Sequence, residues 1–110
     1  MNHLNSIFLE GRITGAASFS CPERKALCRF VIGTDRFTEQ KSGRKKEVSY
    51  FEVEAQGRTA EYCNKYVAEG KIVRIIGFLK QRRREGTDGK PCSRISVTAE
   101  HVEFMPEEDA

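Results

Sequence analysis

The chain has 110 residues, of which 32% are charged and 38% hydrophobic, and a formal net charge of +3. That length predicts one domain with a modest core, and no apolar run approaches the roughly 18 residues of a membrane-crossing helix. The opening MNHLNSIFLEGR lacks a basic segment leading into an apolar one, so no secretory signal is read there, and a reducing, cytosolic setting is expected.

Five strand-like segments and one helix follow in chain order. In Ser6–Thr14, Ile7, Leu9, Gly11 and Ile13 share one face, while Phe8, Glu10 and Arg12 share the other. Gly11 inside that run predicts a bulge or sharp bend, and Gly15–Arg24 reads as a loop. The second strand, Ala26–Thr34, alternates Cys28, Phe30, Ile32 and Thr34 with Arg29, Val31 and Gly33. Residues 35–47 connect it to a third strand, Val48–Gln56, with Ser42-Gly43 as the expected turn. Phe51, Val53 and Ala55 mark the core face of that strand; Tyr50, Glu52, Glu54 and Gln56 mark the other.

Gly57 ends the third strand. Thr59 is the expected N-cap of a short helix, with Glu61 in its first turn, Ala60, Cys63 and Val67 on one stripe, and Gly70 as the residue that stops it. The fourth strand, Lys71–Arg83, puts Val73, Ile75, Gly77 and Leu79 on one face and Ile76 and Phe78 on the other. Asp88-Gly89 is a turn signal within Glu85–Pro91, and the fifth strand is Cys92–Ala99, with Ile95, Val97 and Ala99 on its core face. Val102 and Phe104 extend it, and Pro106–Ala110 reads as a frayed acidic tail after a domain spanning 1–105. The order β-β-β-α-β-β is the plan of the OB-fold, a five-stranded Greek-key barrel, all-β with one short helix. Glycines at 11, 33 and 77 suit the coiling that closure requires; a small split sheet with a packed helix is the competing architecture.

Charge is strongly segregated along this plan. Residues 36–46 hold five Lys or Arg against one Glu, and residues 80–94 hold six against two acids, a net of +8 in a chain whose total is +3. Two basic hairpins on an acidic body predict a polyanionic partner, of which nucleic acid is the commonest. Single-strand binders need cations that follow phosphates and flat side chains on which bases stack. The cations here are Arg36, Lys41, Arg44, Lys45 and Lys46 on one hairpin, and Lys80, Arg82, Arg83, Arg84, Lys90 and Arg94 on the other. Tyr50 lies opposite the core face and is available for stacking; Phe78 is a weaker candidate that could instead bury with Ile76 in a subunit contact.

Catalytic and metal readings find little support. There is no phosphate-binding glycine loop, nucleophile elbow or HExxH motif, and the two histidines, His3 and His101, stand at opposite ends. Cys21, Cys28, Cys63 and Cys92 form no close ligand pair, so no metal or cofactor is expected and the thiols read as reduced.

Several stretches are similar to a known family. IFLEGRIT, CRFVIGTDRF, VSYFEVEAQGRTAEYCNKYVAEGKIVRIIGFLKQRR and AEHVEFM together resemble the bacterial single-stranded DNA-binding protein family over about residues 5–105. Primosomal replication protein N, a dimeric adaptor of replication restart, is also similar, best in CRFVIG and IIGFL; it lacks a good counterpart of GRTAEYCNKYVAEG. The first resemblance implies sequence-tolerant binding of single-stranded DNA in replication, recombination and repair, a homotetramer of OB domains, and stacking on Phe37 as well as Tyr50. A dimer is implied for the primosomal type.

The sequence departs from the family pattern in places. Gln56 and Arg84 stand where the family carries aromatics, and Glu52 and Glu54 put negative charge on the expected DNA face. Those departures predict weaker stacking and a larger electrostatic share, with Arg84 a partial substitute as a stacking arginine. Typical members continue into a flexible linker and an acidic tip that recruits replication and repair proteins; this sequence stops at PEEDA.

Overall fold

A computed structural model of the protein describes residues 1–106, and of Arg84 the backbone alone. Of the expected acidic tail, Pro106–Ala110, residues 107–110 lie outside the described residues. Strand alternation closes on itself as a five-stranded barrel, in the order β1-β2-β3-β5-β4. The strands are β1 (Ile7–Ser20), β2 (Leu27–Gln40), β3 (Gly43–Gln56), β4 (Ile72–Glu85) and β5 (Pro91–Phe104), with α1 (Gly57–Tyr66) between β3 and β4. This is the OB-fold expected from the element order.

The core is built from the faces read in the sequence. Ile13, Cys28, Phe30, Ile32, Val53, Ala55, Val73, Ile75, Val97 and Ala99 fill the barrel, and Ala60 and Cys63 of α1 close one end. Burial pushes the Cys63 thiol up to about 12, with nearby Cys28 adding to the shift. Cys21 and Cys92 are exposed.

Several boundaries differ from the sequence reading, for local reasons. Gly15–Ser20 is strand rather than loop: Ser18, Phe19 and Ser20 pair with Arg29, Cys28 and Leu27 after a register shift between Thr14 and Ser18. Only Pro22–Arg24 forms a turn, with Glu23 and Arg24 in the left-handed region (φ +50° and +64°). The bulge therefore sits near Gly15 (φ +76°). Gly11 instead permits close approach, since a Cβ there would stand 2.8 Å from the Gly33 carbonyl oxygen.

The helix begins three residues earlier than expected. Gln56 is its N-cap, no acidic residue lies in its first turn, and it ends at Tyr66 rather than running to Gly70. Gly70 (φ +91°) serves the next turn, where its N–H donates to the Ile13 carbonyl at 2.8 Å.

The two hairpin arms outrun the core. β2 and β3 pair without interruption out to Gln40↔Gly43, so the turn is at Lys41-Ser42 rather than Ser42-Gly43. β4 and β5 pair out to Glu85↔Pro91, and the Gly86–Gly89 turn is closed by Gly89 N–H donating to Gly86 O at 2.9 Å. Phe51, Leu79 and Ile95 lie on the expected core faces but beyond the core, and are exposed. At the other end of β5, the register shift between Ile76 and Gly77 of β4 leaves Glu100 unpaired. Val102, not His101, therefore continues the buried face that runs through Val97 and Ala99.

Closure itself is narrow. β3 and β5 pair in parallel only at Val53↔Val97 and Glu54↔Thr98. Beside that seam Glu54, expected on the open face, is buried. Arg82 Nη2 donates to both of its carboxylate oxygens (2.7 and 2.8 Å), and Arg29 Nε and Gln56 Nε2 donate at 3.3 Å. Burial alone raises the Glu54 pKa. The Gln56 hydrogen bond and the charges of Arg82 and Arg29 outweigh it, so the carboxyl sits below its ordinary value of 4.5. Arg82 lies directly opposite Arg94. Like charges in that arrangement repel, and β3 separates the demand: Glu54 holds Arg82 and Glu52 holds Arg94 at 3.3 Å.

Two outcomes follow. A Cβ at Gly77 would collide with the Thr98 carbonyl of β5. Gly77→Ala should therefore cost about 3 kcal/mol or more, measured by denaturant unfolding. Because the folded pKa of Glu54 is depressed, its contribution to stability is full above pH 4.5 and is lost as pH falls through the folded value. The gap in unfolding midpoint between wild type and Glu54→Gln should shrink as pH drops below about 4.5; a pH-independent gap would contradict the depressed pKa.

Candidate nucleic-acid interface

Strand parity decides which candidate residues share a surface. On the uninterrupted β2–β3 ladder the outward row runs Arg29, Val31, Gly33, Asp35, Phe37 on β2, opposite Glu54, Glu52, Tyr50, Val48, Lys46 on β3. Across the β3–β5 seam it continues through Thr98, Ser96, Arg94 and Cys92, and then through Phe78, Lys80, Arg82 and Arg84 of β4. The structure thus gathers Phe37, Arg44, Lys46, Tyr50, Phe78, Lys80, Arg82 and Arg94 on one side, with Arg84 placed there by its backbone. Arg36, Lys45 and Arg83 fall on the opposite faces of their arms. Lys41 and Lys90 stand at the two tips.

The two stacking candidates have different settings. Tyr50 is 66% exposed and lies over Gly33 of the neighbouring strand, where a Cβ would come within 3.3 Å of its Cε1. The glycine lets the ring lie against the sheet with one face open to solvent. Phe37 is 51% exposed near the end of the arm, and the Arg44 guanidinium caps one side of its ring at 4.4 Å from the centroid. A base stacked on its free side would meet a cation already in place. Phe78 is half-buried and faces the same way as Ile76, which pairs with the exposed Phe8 of β1.

Cations divide into held and unheld. Arg82 and Arg94 are tied to Glu54 and Glu52, Lys45 reaches Glu47 at 3.8 Å, and Lys46 shares Asp35 with Arg12, both at 3.7 Å. Among the described residues Arg36, Lys41, Lys80, Arg83 and Lys90 form no ion pair within 4 Å. Between the arms a cavity of ≈ 330 Å3 opens, lined among others by Ser18, Arg29, Glu52, Glu54, Arg82 and Arg94.

Sequence reasoning missed Arg29, whose place opposite Glu54 follows only from the true turn position. It also missed a cluster of Tyr62, Tyr66 and Phe104 beside α1, with ring centroids 4.9 to 6.3 Å apart and Lys71 over two of the rings. The i, i+4 spacing of the two tyrosines was the available signal. No helix among the described residues is long and apolar enough to cross a membrane.

Known proteins share this geometry and sequence. The model of the single-strand binding protein family matches residues 4–105. The single-stranded DNA-binding protein of Treponema pallidum is 30% identical over 106 residues, covering 96% of this chain and 60% of the relative. That of Wolinella succinogenes is 32% identical over 108 residues, covering 96% and 67%. The chain thus spans about two thirds or less of these relatives' length. Among solved structures, a Plasmodium falciparum SSB in complex with ssDNA superposes with a TM-score of 0.86 at 18% identity, covering 96% of this chain and 98% of that one. A deletion mutant of the Thermus aquaticus single-stranded DNA-binding protein gives 0.81 at 25% identity, covering 94% and 51%. With its barrel, its basic arms and a match running from end to end of the fold, the chain belongs to the single-strand binding protein family.

Proposed function

We propose that this protein binds single-stranded DNA with little regard to sequence, in replication, recombination and repair, and acts by binding rather than catalysis. The observation that carries the reading is the outward row that joins Tyr50 and Phe37 to cations of both arms on one face. Bases stack on the Tyr50 and Phe37 rings while phosphates run past Lys41, Lys80 and Lys90, and past Arg84. Arg82 and Arg94 contribute less than their number suggests, because each already has a carboxylate partner. Family membership supports the reading, and a cytoplasmic, nucleoid-associated location goes with it.

Self-association belongs to the same reading. Phe8 is 76% exposed and pairs with Ile76, itself 41% exposed, while Phe78 extends the patch along β4. Exposed apolar side chains clustered on one sheet face mark a contact surface, and a homotetramer of OB domains is the form we favour.

The two kinds of contact are separable by salt. Phe37→Ala or Tyr50→Ala should weaken oligo(dT) binding by about five- to a hundredfold with an unchanged salt slope. Lys41→Ala with Lys80→Ala should flatten the slope of log K against log salt by about 0.7 for each phosphate no longer neutralised. Equal slopes in the two sets would refute the division of roles, and no binding to oligo(dT) at low salt would refute the function. Light scattering should give the mass of a tetramer and, for Phe8→Glu, of a smaller species; a monomeric wild type would remove the proposed contact.

A further inference from the structure

The cavity between the arms has a locked floor and an adaptable mouth. The floor is the Glu54–Arg82 pair, in which Arg82 Nη2 reaches both oxygens of the buried carboxylate at 2.7 and 2.8 Å. The mouth is the Glu52–Arg94 pair. It is joined by one contact of 3.3 Å, and its side chains are 50% and 74% exposed. Both pairs face the ≈ 330 Å3 cavity, whose walls include the apolar Val31 and Val53. That volume is at the bottom of the range for small-molecule sites, about 300–1,000 Å3, and suits one nucleotide unit rather than several.

A carboxylate is an odd neighbour for a phosphate chain but a good acceptor for a base. We propose that this cavity is a nucleobase subsite that takes guanine in preference to the other bases; the inference rests on the single-stranded DNA reading above. Guanine presents an oxygen acceptor, O6, beside two donors, N1–H and the 2-amino group. Glu52 accepts from both donors through its two oxygens, a charge-assisted bidentate contact. Arg94 donates an N–H to O6 while keeping its bond to Glu52, because each carboxylate oxygen has a second lone pair.

The other bases fit less well. Thymine has one donor, N3–H, flanked by two carbonyl oxygens, so one carboxylate oxygen of Glu52 is left against an oxygen. Adenine and cytosine each give Glu52 one donor, the amino group, and Arg94 one acceptor, a ring nitrogen, so they make two contacts with the ion pair intact. Guanine alone makes three. Glu54 remains bound to Arg82 throughout and serves as a positioning residue that fixes the floor.

The test compares a short thymidine oligonucleotide with the same oligonucleotide carrying one central guanine, adenine, cytosine or hypoxanthine, by fluorescence titration of the intact protein. Guanine should bind about tenfold tighter than thymine at that position. Hypoxanthine keeps O6 and N1–H but lacks the 2-amino group, and should fall between the two. Glu52→Gln should bring the guanine-to-thymine ratio close to one; its exposed position makes folding failure a minor concern, and the hypoxanthine comparison needs no variant. Equal affinity for guanine and thymine, adenine or cytosine ranking first, or a guanine preference that survives Glu52→Gln would each overturn the subsite while leaving single-stranded DNA binding intact. Failure of every oligonucleotide to bind would overturn the function, and the subsite with it.

Discussion

Glu54 is the group on which the barrel's closure and the face between its arms both depend. The seam between β3 and β5 holds only two residue pairs, so backbone hydrogen bonding contributes little there. A buried carboxylate at the seam reaches across it to Arg82 of β4 and along its own ladder to Arg29 of β2. Such a charge is costly to bury alone and tolerable when fully bonded. Its partners hold the second arm against the first and set the orientation of the face between them.

That arrangement gives the positive charge two uses. Formal charge along the sequence suggests eleven equivalent cations on two hairpins. In the fold, some hold the arms in place through Glu52, Glu54 and Asp35, and others remain at the arm tips and edges, where they can follow a phosphate chain. The negative residues on the face are therefore a structural complement to the held arginines, and Glu52, at the cavity mouth, keeps acceptor capacity to spare.

Most of the fold is legible in the sequence because strand faces repeat every two residues. The expected turn at Ser42-Gly43 shifts the β2–β3 pairing by two residues, which changes partners but not faces. Tyr50 and Phe37 therefore fall on one surface in either register. Contacts that depend on register, such as Arg29 with Glu54, are hidden for the same reason. Phe51, Leu79 and Ile95 mislead because alternation tells which side a residue faces, not whether core lies on that side. The helix start is hard to read because Gly57 (φ +62°) opens α1 directly from the strand, without the usual capping side chain. Of the site, the rings and basic arms can be read from residue types; the pairing of the arginines with their carboxylates cannot.

The ladder also acts as a ruler. The Tyr50 ring lies over Gly33, and Phe37 is on the same face of that strand further along. Strand rise makes the separation about 14 Å. A single strand stacked at about 3.4 Å per nucleotide covers that distance in about four steps. On the proposed reading, bases held on the two rings would therefore not be neighbours, and the nucleotides between them would cross Asp35 and Val48, where no ring waits. Contact with the chain would be intermittent, so a strand that released one ring would still be held by the other.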